Sequence, residues 1–475
     1  MSKAYQEFLA TKAIKPQPVG VKPTRNLPAA LKPFQRDIVK WALAQGRAAI
    51  FAGTGLGKTL IQLAWADAMH RHTGKPTLIL TPLAVSHQTV REAAKFKIKS
   101  VAYAADQSQV STSIVITNID RVEKFDMDAF GAVVVDESSI LKASDSKTRA
   151  RLTELCAGIP YRLCCTATPA PNDFVELGSH SEFLGVLNAK EMLATWFVHD
   201  GSGKATNGQN HGSKPIAEWR LKGHAERDFW RWVATWSVMI RHPRDIGYDE
   251  QGYDLPPLNK HQITVATSYE TAVASGMLFA MEARTLQEQR AAARASIDDR
   301  VKAVADRVNA QTDRQWIVWC HLNDEADALV KAIPDAVEVR GTDDPDVKTE
   351  RLLGFADGKF RVMVTKSKIA GMGMNYQSCH SMAFVGLNNS FEQVFQAIRR
   401  CWRFGQTKPV DVYMVAAETE GAVVANLEAK EKAAKYMGDQ LASHMSDLTK
   451  RALKQSETRT MSAHSARMEL PSWMM

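Results

Sequence analysis

No run of 18 apolar residues occurs anywhere in the 475-residue chain, so no segment reads as a membrane-crossing helix. The opening stretch, MSKAYQEFLATKAIK, has none of the apolar character of a secretory signal. The six cysteines (Cys156, Cys164, Cys165, Cys320, Cys379 and Cys401) form no CxxC pair and no metal-ligand spacing. They read as reduced, buried thiols rather than a disulfide framework or zinc site. His199, His211 and His224 likewise lack ligand spacing. Nuclease-like clusters of carboxylate and lysine are missing, as are acyl-transfer arrangements. These absences predict a soluble, cytoplasmic protein that uses no membrane. Charge of one sign barely dominates: 60 Lys and Arg against 52 Asp and Glu leave +8 and a pI near 9.0. That balance permits a polyanionic partner without requiring one. The length implies two or three domains with room for sizeable cores.

What the chain does contain is a glycine-rich loop leading into a helix, FAGTGLGKTLIQLAW from Phe51 to Trp65. Gly53, Gly55 and Gly57, with Thr54 among them, let the backbone adopt positive φ and turn successive N–H groups toward a phosphate chain. Lys58 is placed to reach the β- and γ-phosphates, and the Thr59 hydroxyl to ligate Mg²⁺. Ala52 stands where the strict pattern has glycine, a minor departure if its φ is negative. Ala48 to Ala52 reads as a buried strand, and Leu60, Leu63, Ala64 and Ala68 recur at helical spacing. Strand, loop, Gly-Lys-Thr and helix in that order predict an ATP site.

The second chemical motif is Val133-Val134-Val135-Asp136-Glu137-Ser138-Ser139. An apolar strand ending in paired carboxylates puts Asp136 where it can hold the Mg²⁺ of a nucleotide and Glu137 where it can orient or deprotonate water. An acidic helix cap at Asp136 or Ser138 is the structural alternative.

Residues 1–28 read as a basic irregular arm, with Pro16, Pro18, Pro23 and Pro28 among Lys and Arg. Residues 29–194 alternate short apolar runs with helical patterns, with strands expected at 77–81, 113–117, 132–135 and 162–166. A Trp- and Arg-rich helical insertion and linker spans 195–257. A second α/β series covers 258–420, with strands expected near 316–320, 336–339, 362–365, 381–385 and 410–415. Residues 421–475 read as helical and then polar. The expected class is α/β, with two parallel-sheet lobes in tandem around the insertion.

Further segments make the chain resemble a superfamily 2 nucleic-acid helicase or translocase, closest to the Swi/Snf-like branch, over roughly residues 30–416. Leu31-Lys32-Pro33-Phe34-Gln35-Arg36 resembles the segment preceding the phosphate loop, which implies that Gln35 reads the adenine edge. Thr81-Pro82 resembles the strand-end motif whose backbone touches a nucleic-acid phosphate. Cys165-Thr166-Ala167-Thr168-Pro169 resembles the motif that couples hydrolysis to lobe movement, which assigns Thr166 and Thr168 to coupling; Asn172 follows slightly later than the family pattern has it. Thr365 through Asn375 looks like the fifth motif, implying nucleic-acid contacts at Thr365 and Asn375 and a nucleotide contact at Gly373. Gln396 through Gln406 looks like the sixth, implying that Gln396 touches nucleotide and that Arg400 and Arg403 face the γ-phosphate, Arg403 as arginine finger. Residues 396, 400 and 403 share one face if this segment is helical, so two guanidiniums converge where negative charge develops. A solvated basic face is the bland alternative.

The resemblance implies two RecA-like lobes, ATP with Mg²⁺, and DNA as partner. Double-stranded DNA is favoured, single-stranded DNA is admissible, and RNA is less favoured. Arg399 replaces the glycine of the sixth motif, which brings a third guanidinium toward the cleft. In the insertion, Trp219, Trp230, Trp232 and Trp236 lie among Arg220, Lys222, Arg227, Arg231, Arg241 and Arg244, a pattern that fits base stacking with phosphate contacts from Arg231 and Arg244. Phe229, Val233, Trp236 and Ile240 also fall at helical spacing and read as a packed stripe, the favoured reading for Trp232 and Trp236. The insertion and the C-terminal tail are candidate sites for a protein partner. The compact form resembles phage and prophage helicases, implying a role in replication, repair or recombination. An RNA-remodelling helicase and a partner-activated nucleotide-controlled module are the alternatives.

Overall fold

The computed structural model describes residues 18–22, 27–141, 147–170, 173–200, 218–249, 251–266, 286–370, 374–387 and 390–455. Its first lobe contains strands β1 (Arg47–Ala52), β2 (Thr77–Thr81), β3 (Val101–Tyr103), β4 (Ile114–Asn118), β5 (Ala132–Asp136) and β6 (Tyr161–Thr166), then a β7 (Phe197–Asp200) and β8 (Glu218–Leu221) antiparallel pair, then β9 (Ser237–Ile240). Seven strands form one parallel sheet in the order β3-β4-β2-β5-β6-β1-β9. Side chains alternate across it. Ala48, Ile50 and Ala52 enter a core with Phe34, Ile38 and Trp65, whereas Ala49 and Phe51 enter the opposite core with Phe183, Phe229 and Trp236. Both faces are covered, which is why the strands read as continuous apolar runs.

The second lobe repeats the plan with β10 (Leu258–Val265), β11 (Trp316–Cys320), β12 (Ala336–Val339), β13 (Val362–Lys366), β14 (Ser381–Phe384) and β15 (Val410–Ala417). These pair in parallel in the order β10-β15-β14-β11-β13-β12. Ile317 and Trp319 face one core, Trp316, Val318 and Cys320 the other. Where helix Ile297–Asn309 meets helix Asn323–Ala332, Arg300 is fully buried. Its Nη1 donates to Glu325 Oε1 at 2.7 Å, and Glu420 lies 3.3 Å from its Nε.

Three of the insertion's tryptophans pack inside the first lobe instead of offering a stacking surface. Trp230, Trp232 and Trp236 are buried in the first-lobe core, and Trp196 stacks on Trp232 with ring centres 4.5 Å apart. The helix Glu226–Trp236 is amphipathic, so its aromatic stripe leaves the water, and β9 immediately after it pairs with β1. Residues 218–240 therefore build the first lobe rather than stand apart from it. The 35-residue helix Gly421–Gln455 returns from the second lobe, where Val423 and Leu427 are buried, to the first, where Leu441, Met445 and Leu453 are buried. Residues 456–475 and most of the basic arm lie outside the described residues.

Candidate active site

Strand order decides which sequence motifs meet. β5, β6 and β1 are neighbours, in register at Asp136 with Cys165 and at Phe51 with Thr166. Their carboxyl ends therefore set the glycine-rich loop, the Asp136-Glu137 pair and Thr166 side by side, the usual position for ligands in parallel α/β sheets. Gly55 and Gly57 have φ of 89° and 79°, as a loop presenting its N–H groups inward requires. Gly57 caps the helix Lys58–Thr73, so the loop ends at a positive helix N-terminus suited to an anion.

Lys58 Nζ donates to Ala52 O at 2.9 Å and lies 3.4 Å from Gly53 O. Burial pulls its pKa down, and the negative charges of Glu137 and Asp136 oppose that shift. Burial pushes Asp136 up to about 6, partly offset by a 2.7 Å bond from Gln62 Nε2 and by Lys58. Glu137 has a left-handed backbone, φ 57°. Its Oε1 accepts from Thr166 Oγ1 at 2.8 Å and Ser139 Oγ at 3.2 Å, and Thr166 Oγ1 accepts from Thr168 N at 3.1 Å. Thr166 is thus joined directly to the Glu137 carboxylate, and Thr168 to it through Thr166.

Across the cleft the second lobe brings Gln396, Arg400 and Arg403. Arg400 donates to Gln396 Oε1 at 2.8 Å and to Gln396 O at 3.0 Å, and both arginines reach Met374 O at 3.4 Å. Burial first, then repulsion from Arg403, lowers Arg400 to about 10; burial lowers Arg403 too, against the attraction of Glu92. A cavity of about 380 Å³ between the lobes is lined by Gln35, Thr54, Gly55, Gly57, Lys58 and Thr59 on one side and Gln396, Arg400 and Arg403 on the other, with Asp136 and Glu137 at its floor. Gln396 Nε2 and Asn375 Oδ1 are buried at this cavity without a hydrogen-bond partner among the described residues. Unpaired buried donors and acceptors beside a positive cradle fit a polar, anionic ligand such as a nucleotide.

Several expected roles meet a different geometry. The helix carrying Gln396 ends at Ile398, and residues 399–403 continue as tight turns, which converge the arginines without a shared helical face. Arg399 lies 4.3 Å from the Trp402 ring and 5.1 Å from Phe395, so cation–π packing occupies it instead of the cleft. Thr365 is buried and its hydroxyl donates to Val339 O at 2.9 Å. Thr81 is buried, its hydroxyl bonded to Ser86 at 2.8 Å, which does not bear on the backbone contact expected there; Pro82 and Asn375 line the cavity between the lobes. Arg244 is paired with Asp254 at 3.0 Å, whereas Arg231 is exposed, 3.5 Å from Asp228. The Gln35 amide spans Leu56 O and Lys32 N, each at 2.9 Å, so here it braces the phosphate loop. Gly373 and Asn172 lie outside the described residues. Gln62 was not anticipated; a buried polar residue inside the apolar pattern Leu60-Ile61-Gln62-Leu63-Ala64 was the available signal.

Two parallel-sheet lobes with a phosphate loop on one and paired arginines on the other define a two-lobed nucleotide-hydrolysing enzyme. Residues 34–270 match the SNF2-related domain and residues 299–405 the helicase conserved C-terminal domain. The chain belongs to superfamily 2 of the helicases, in its Swi/Snf-like branch, and is accordingly an ATPase. It is 23% identical to the uncharacterized ATP-dependent helicase YqhH of Bacillus subtilis over 82% of this chain and 75% of that protein. It is 22% identical to the SWI/SNF-related matrix-associated actin-dependent regulator of chromatin subfamily A-like protein 1 of Drosophila melanogaster, over 84% of this chain and 54% of that protein. The Sulfolobus solfataricus SWI2/SNF2 ATPase core, solved with double-stranded DNA, is similar over 92% of this chain and 97% of its own, with 17% identity and a TM-score of 0.40. No helix among the described residues is long and apolar enough to cross a membrane.

Proposed function

We propose that the chain is an ATP-driven DNA motor, acting on double-stranded DNA by preference, as a translocase or helicase in replication, repair or recombination. The observation that carries the reading is the meeting, in one cleft, of Lys58, Thr59, Asp136 and Glu137 from the first lobe with Gln396, Arg400 and Arg403 from the second. Lys58 binds the terminal phosphates of ATP, and Glu137, anchored through Thr166, orients the attacking water. Thr59 and Asp136 would hold Mg²⁺, which when bound neutralises charge on the phosphate oxygens. Arg403, with Arg400 behind it, stabilises charge as it develops in the transition state. Because the phosphate chain contacts both lobes, its cleavage removes the energy that favours closure. The Thr166–Glu137 bond joins that event to the Cys165–Pro169 motif, to which the resemblance assigns coupling. Membership of the Swi/Snf-like branch supports duplex DNA over RNA, and the +8 charge is compatible with phosphate contacts that weaken with salt.

The test is the steady-state ATPase rate without nucleic acid and with duplex DNA, single-stranded DNA or structured RNA, with Glu137→Gln as control. Duplex DNA is expected to stimulate most, and Glu137→Gln to turn over at least about 100-fold more slowly while still binding ATP. Stimulation by RNA alone refutes the DNA reading. Wild-type hydrolysis by Glu137→Gln refutes the active site.

A further inference from the structure

Phe404, the residue after Arg403, is where the second lobe presses on the phosphate loop. A β-carbon on Gly55 would stand 2.7 Å from both the backbone nitrogen and the Cβ of Phe404, so the loop tolerates no side chain beneath it. The Phe404 ring stacks on Tyr253, with centres 4.5 Å and planes 25° apart. Tyr253 in turn sits edge-on to Phe34 in the first-lobe core at 5.5 Å. On the other side of Arg403, the Trp402 indole donates to Pro256 O at 2.7 Å. Both neighbours of the arginine are thus fixed to the first lobe or the segment leading from it. Arg403 projects into the cavity between them.

We infer that Phe404 is a positioning residue: seated between Gly55 and Tyr253, it sets how far Arg403 extends toward the phosphates. The inference rests on the proposed role of Arg403. Phe404 has no polar side-chain atom to offer a phosphate, so its effect passes through its neighbour. A displacement of Gly55 is transmitted to Phe404 by direct contact, which makes phosphate loop and arginine move as one unit. Catalytic groups lose about 100-fold for an ångström of misplacement, so a wedge of this kind controls turnover rather than binding.

The test compares kcat and KM for ATP, with duplex DNA present and absent, in wild type, Phe404→Ala, Phe404→Tyr, Arg403→Ala and the Phe404→Ala/Arg403→Ala double variant. Phe404→Ala is expected to lower kcat roughly 10- to 100-fold with KM changed less than about threefold. Phe404→Tyr, which keeps the stack, retains kcat within about threefold. In the Arg403→Ala background the same Phe404→Ala change is expected to cost less than about twofold, because residues acting as one unit are not additive. Full additivity, a loss confined to KM, or wild-type kcat in Phe404→Ala overturns the inference. If Phe404→Ala does not fold, Phe404→Leu keeps the bulk, loses the stack, and carries the same expectation. Wild-type turnover in Arg403→Ala would overturn the active-site reading and this inference with it. A crippled Arg403→Ala beside a fully active Phe404→Ala overturns this inference alone.

Discussion

Replacing Thr166 by valine keeps the shape of a fully buried side chain and removes one hydroxyl. That hydroxyl donates the shorter of the two bonds to Glu137 Oε1, 2.8 Å against 3.2 Å from Ser139. A hydrogen bond to a charged group contributes about 1.5–3 kcal/mol. In the proposed mechanism Glu137 orients the attacking water, so losing its orientation is felt in the transition state. At about 1.4 kcal/mol per tenfold, kcat is expected to fall roughly 10- to 100-fold. ATP binding does not use this bond, so KM is expected to stay within about threefold. Valine also strands the Thr168 N–H, which the hydroxyl now accepts at 3.1 Å, so a loss of about 1 kcal/mol in stability accompanies the change. Thr166→Ser restores both bonds and is expected to keep kcat within about threefold. The assay is coupled ATPase over a range of ATP concentrations, with urea denaturation in parallel. Wild-type kcat in Thr166→Val, or a serine variant as slow as the valine one, refutes the argument that Thr166 orients Glu137.

Because Glu137 has φ 57°, a non-glycine residue there costs about 1–2 kcal/mol. Glu137→Gly is therefore expected to be about 1 kcal/mol more stable than Glu137→Ala in urea, with both inactive; the opposite order would contradict a left-handed backbone. Glu325→Ala removes one of the two carboxylates on the buried Arg300 guanidinium, leaving Glu420, and strands the His321 and Leu322 N–H groups. A loss of about 3–5 kcal/mol is expected in denaturant titrations, and a loss under about 1 kcal/mol would mean that water or another group compensates. Burial holds His180 at about 4, below its ordinary 6.5. Between those values the unfolded chain binds a proton that the native one refuses, so stability falls as pH drops from about 6.5 to 4, by about 2 kcal/mol at pH 5. His180→Phe is expected to flatten that limb of the urea midpoint against pH, and an unchanged slope would assign acid sensitivity elsewhere.

Most of the sheet framework could be read from the chain because its strands are buried on both faces. The expected strands at 77–81, 316–320 and 336–339 coincide with β2, β11 and β12, and the others differ by one or two residues at an end. β9 escaped notice. Its four residues, Ser237–Ile240, follow an amphipathic helix without a break, and periodicity cannot separate so short an apolar run from the last turn of a helix. Helical spacing favours packing for Trp232 and Trp236 without excluding stacking. What decides it is β9, whose pairing with β1 draws the helix Glu226–Trp236 onto the sheet.

The active site divides along the same line. The meeting of Lys58, Thr59, Asp136 and Glu137 in one cavity could be expected because each stands at a strand end or helix start, where local sequence fixes position. Gln62, Tyr253 and Phe404 matter through partners 74, 151 and 349 residues away: Asp136, Phe404 and Gly55. No periodicity encodes such pairs. Thr365 shows the converse: its motif was readable, yet the β12–β13 pairing engages its hydroxyl with Val339 O. A motif identifies which residue types the chemistry requires, and strand pairing decides which of their atoms remain free to perform it.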